Sequence, residues 1–102
     1  MQLYTNKHTH TCRSFTTKHN INLARCNVTM GDSYLKDGEY VKALECFTKA
    51  LPELTKALGT YHNEVAEIYN NIGDVFVKQG KLDEALENYK KTLTIRLSKD
   101  MF

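Results

Sequence analysis

The residues best equipped for chemistry stand at the front of the chain. "HTHTC" sets His8, His10 and Cys12 on alternate positions, so an extended segment would turn all three to one side, with His19 a few residues on. Imidazole and thiolate together suit zinc or copper. The spacing is not that of paired metal ligands, however, and the surrounding Thr- and Asn-rich composition reads as an unstructured tail, so no metal ligands are assigned. Further along, His62 is the only histidine, beside Asn63 at a helix start, and no serine or cysteine is spaced to use it as a base. There is no Gly-rich loop to cradle phosphate. The sequence reads as non-catalytic, with no cofactor.

What remains is a set of polar residues at steps of three and four: Arg25, Thr29, Asp32 and Lys36, then Glu67, Asn70, Asn71, Asp74 and Lys78. Such steps place each set on one face of a helix. An Asn on that face can bond both the N–H and the C=O of an extended peptide. These nine residues are the candidate binding set.

The elements that must carry them follow from a self-match. Residues 31–51 ("GDSYLKDGEYVKALECFTKAL") align with 73–93 at an offset of 42, with Gly31/Gly73, Asp32/Asp74, Gly38/Gly80, Ala43/Ala85 and Leu44/Leu86 among the identities. A fixed period of this length marks a solenoid whose units cannot bury their own apolar faces. Within the second unit Val65, Ile68, Tyr69, Ile72 and Phe76 form one helical stripe. "QGK" at 79–81 supplies a helix-ending glycine, and Leu82, Ala85, Leu86, Tyr89, Leu93 and Leu97 form a second stripe. The predicted helices lie near 21–36, 40–57, 63–78 and 82–99. Gly31 and Gly73 would each face an alanine, Ala43 and Ala85, so that paired helices approach closely. That packing offsets a helix-propensity loss of about 1 kcal/mol. Pro52, inside the second helix, predicts a kink or a break.

The fold expected is all-α: two helix–turn–helix hairpins in a short solenoid, as units 21–58 (degenerate) and 59–102, behind a disordered basic tail at 1–20. Residues 1–31 carry four Lys/Arg and no acid, whereas residues 32–102 carry ten against twelve, for a net charge of +2. With few charges and no interleaved aromatics, the tail is not a nucleic-acid arm. No apolar run is long enough for a membrane span. Three cysteines without metal spacing argue for free thiols in a reducing compartment, and a cytoplasmic location is expected.

Gly, aromatic, Gly, Ala and aromatic at these steps resemble the tetratricopeptide repeat. The longer unit, with Leu58, Gly59, His62, Val65, Ala66, Tyr69, Asn70 and Asn71 in "ALGTYHNEVAEIYNNIGDVF", resembles the kinesin light chain type, Asn63 standing where that type has Pro. The resemblance implies a protein-binding scaffold whose first helices line a concave groove for a peptide or a partner's helix. It also matches Asn71 to the position with which co-chaperone repeats hold a peptide. Three units normally make a stable stack. The last helix is therefore expected to leave leucines uncovered, to be met by the tail, by a second chain, or, as the favoured expectation, by further units of a longer product.

Overall fold

In the computed structural model, residues 20–100 are described, with side chains through residue 98. The tail, with His8, His10, Cys12 and His19, lies outside the described residues. Four α-helices make up the rest: α1 (20–36), α2 (Tyr40–Leu58), α3 (Asn63–Lys78) and α4 (Leu82–Asp100). Each boundary falls within one residue of its predicted place. The architecture is all-α, two helical hairpins side by side.

Both hairpin turns use the same device. Gly38 and Gly80 adopt φ of 81° and 78°, which a side chain resists and glycine accepts. In the first turn the Gly38 N–H donates to the Leu35 carbonyl and the Glu39 N–H to that of Tyr34. In the second, Gly80 donates to Val77 and Lys81 to Phe76. These are Schellman ends, which satisfy the last carbonyls of α1 and α3 and reverse the chain. α3 opens differently: His62 Nδ1 accepts the Glu64 N–H at 3.1 Å, so this histidine is a helix cap. α2 runs unbroken from Tyr40 to Leu58 with an exposed Pro52 inside it, so the expected break does not occur.

The core is one cluster shared by the hairpins. Ala43, Phe47, Ala50 and Leu54 from α2 meet Val65, Ala66, Ile68, Ile72 and Val75 from α3, with Ala24 and Ile95 closing it from the outer helices. α3 packs against both α2 and α4. The glycines sit at close approaches, but the partner is not the alanine. A Cβ built on Gly31 would lie 2.6 Å from the Phe47 ring, and one on Gly73 would lie 2.6 Å from the Tyr89 ring. Each ring stands one helical turn beyond Ala43 or Ala85, both of them buried. The missing methyl makes room for an aromatic plate, a partner the small-to-small expectation misassigned.

Candidate protein-binding surface

α1 and α3 are joined across the hairpins by one forked ion pair. Arg25 donates from Nε and Nη2 to the two Glu64 oxygens at 2.8 and 2.7 Å. Two parallel bonds fix orientation as well as distance. The guanidinium holds the Glu64 carboxyl below its usual range, chiefly through these hydrogen bonds, with burial opposing. Beneath the pair is a cleft of about 190 Å³. Its walls include Arg25 and Thr29 from α1 and Glu67 from α3, with the buried Leu54 of α2 beneath. Thr29 turns its hydroxyl back onto the Arg25 carbonyl at 3.2 Å.

A second group lies further along the same two helices. Asp32 and Asp74, equivalent positions of the two units, are half-buried and close enough for one charge to act on the other. Burial pushes the Asp32 carboxyl up; Lys36 pulls it down, and Asp74 adds to the rise. The environments then diverge. Tyr89 Oη donates to Asp74 Oδ1 at 2.5 Å, whereas the ring facing Asp32's helix is Phe47, which has no hydroxyl to offer. Asn70 and Asn71 are half-buried on α3 between the two groups in sequence, and Lys78 is exposed in its last turn.

The structure thus places Arg25, Thr29 and Glu67 around one cleft and couples Asp32, Lys36 and Asp74 electrostatically. No hydrogen bond or ion pair ties Asn70, Asn71 or Lys78 to either group. The sequence pattern does not single out Glu64 or Tyr89. Glu64 is visible only as an acid in the first turn of α3, one turn before Glu67, and Tyr89 reads as core. Among the described residues no cluster of His, Cys, Asp and Glu could hold a metal, and no helix is long and apolar enough to cross a membrane. Cys26 and Cys46 are free thiols.

The Tyr89–Asp74 bond has a measurable signature. Burial first, then the hydrogen bond and the charge of Asp74, push the phenol up to about 12. An unfolded tyrosine titrates near about 10. The folded state therefore keeps a proton that the unfolded state loses between these values. The contribution is full below about pH 10 and fades as pH rises toward about 12. Urea midpoints of the natural chain should fall more steeply from about pH 9.5 to about 11.5 than those of Tyr89→Phe. Parallel declines would show that the phenol contributes nothing to the alkaline limb.

Comparison with known families bears on the whole hairpin pair. The family model described as tetratricopeptide repeat matches residues 22–98, which takes in nearly all of the four helices.

Proposed function

Because this chain belongs to the tetratricopeptide repeat family, whose members are protein-binding units, we propose that it is a non-catalytic scaffold. It holds an extended peptide or a partner's helix in the groove between α1 and α3. The binding set is Arg25, Thr29, Asp32, Lys36, Glu67, Asn70, Asn71, Asp74 and Lys78. In this reading the unit is of the kinesin light chain type and the protein works in the cytoplasm. The observation that carries it is the Asp32–Asp74 pair: two carboxylates kept half-buried on adjacent helices, one with no tyrosine hydroxyl at its side. Like charges held close are unfavourable until a cation arrives. A ligand with a Lys or Arg would relieve that repulsion, while Asn70 and Asn71 read its backbone.

Arg25 has a part other than ligand capture. Committed to Glu64, it sets the spacing of α1 and α3 and so the width of the groove.

Selection from a displayed random library of short peptides tests the reading. Enriched peptides should be basic, and the best of them should weaken at least about tenfold on Asp32→Asn and on Asn71→Ala, since the first removes a charge and the second a hydrogen-bonding amide. An absence of enrichment, or peptides indifferent to both substitutions, would refute the groove.

A second reading, a structural assembly module, is favoured by a separate observation, the open face of α4.

A further inference from the structure

Four leucines of the last helix, Leu82, Leu86, Leu93 and Leu97, are each more than half exposed. The repeat tells what such a face is for. One period earlier the same positions are Tyr40, Leu44, Leu51 and Thr55 of α2. The first three pack against the core, and Thr55 is half-covered. On α2 this face is roofed by the neighbouring hairpin. On α4 it is bare, a stripe about 22 Å long at about 1.5 Å per residue.

Two kinds of second copy could cover it. In a head-to-tail stack the cover would be α1, standing as α3 stands on α2. However, where α3 buries Ile68 and Val75, the equivalent α1 residues are Cys26 and Ser33, both exposed. That face is a poor match. The α4 stripe instead matches itself. Its leucines are spaced four, seven and four residues apart, a sequence that reads the same in either direction. Two antiparallel copies therefore set Leu82 against Leu97 and Leu86 against Leu93, twice over, about one two-fold axis. The charges agree. Asp83, Glu84 and Glu87 occupy the first half of α4, and Lys90, Lys91 and Arg96 occupy the second. Antiparallel pairing lays acid along base, with Glu87 beside Lys90 of the second copy. Parallel pairing would oppose like with like.

We infer that α4 is a dimerisation helix, packed antiparallel on α4 of a second copy through these four leucines, on the side of the molecule its core leaves open. The inference does not depend on the groove reading.

Sedimentation of the 102-residue chain over a wide concentration range tests it. The expected species is a dimer and nothing larger. Leu86→Glu, which puts a charge on an already exposed position, should leave helical circular dichroism unchanged and weaken dimerisation about 100-fold or more, because each dimer then buries two unpaired carboxylates. A second arm fixes the geometry. In a chain with Cys12→Ser and Cys26→Ser, Lys90→Cys lies next to the two-fold axis and should form an intermolecular disulfide under mild oxidant. A monomer throughout overturns the inference, since the stripe is then covered within the chain or left bare. So does a ladder of growing oligomers, the mark of head-to-tail stacking. A dimer that survives Leu86→Glu, or that fails to cross-link at position 90, overturns it equally.

Discussion

Gly31→Ala should destabilise the protein by about 2 kcal/mol, although alanine is the better helix former by about 1 kcal/mol. The new methyl would sit 2.6 to 2.8 Å from three atoms of the Phe47 ring. That ring is fully buried and has nowhere to withdraw. Overpacking of this kind costs about 1–3 kcal/mol, and a clash with three atoms of a rigid plate belongs at the upper end. The propensity gain then recovers only part of the loss. The sign is what decides: a glycine present by accident would give stabilisation on the same change. Urea denaturation followed by circular dichroism reads the result. Phe47→Leu supplies the control, because in that background the added methyl finds room and Gly31→Ala should be neutral or favourable. Additive effects of the two substitutions would mean that the ring and the glycine are not partners.

Leu54→Ala should be worse, at about 3 kcal/mol, the middle of the range for a buried leucine. Leu54 is 1% exposed, and it belongs at once to the shared core and to the base of the cleft beside Arg25. Its removal therefore loosens the seam between the hairpins as well as the interior of one. Total stability of a small domain is about 5–15 kcal/mol, and a chain of this size sits toward the low end. A melting temperature lowered by about 15 °C follows from the entropy of unfolding of a domain this small. Its counterpart one period later is Arg96, which is exposed. The same helical position is interior in one hairpin and surface in the other, so Arg96→Ala should leave the melting temperature nearly unchanged. Equal losses at the two positions would mean that the hairpins do not pack as described.

The contrast between Leu54 and Arg96 also shows what a sequence of this type reveals and what it conceals. The period of 42 residues and the three-and-four spacing of apolar residues make the helices legible, because helix geometry repeats that spacing whatever the partner. The glycines at the turns are equally plain, since a Schellman end needs a residue that tolerates positive φ. The partners of Gly31 and Gly73 are not. Small residues suggest close approach, but only the crossing of the helices decides whether the opposing group is Ala43 or the Phe47 ring. Pro52 misleads for a related reason. Its cost is local, whereas the continuity of α2 is maintained by Phe47 and Ala50 before it and Leu54 after it, all buried in the core. At the candidate surface, Arg25 looks in the sequence like a cation for a ligand. Its bond to Glu64 spans 39 residues, beyond what any local pattern could disclose.

One consequence follows from the order in which the helices lie. α2 and α3 are inner walls, whereas α4 has its leucine side open and α1 leaves Leu23 and Met30 about half exposed. Opening of such a chain runs from the rims inward: the end helices fray at little cost, and the middle pair parts last, in a single cooperative event. Nearly every stabilising neighbour is also close along the chain, so refolding needs few long searches and can begin from the central seam. The molecule is thus kinetically a zipper with its teeth in the middle, and what lies against its rims governs how long it stays shut.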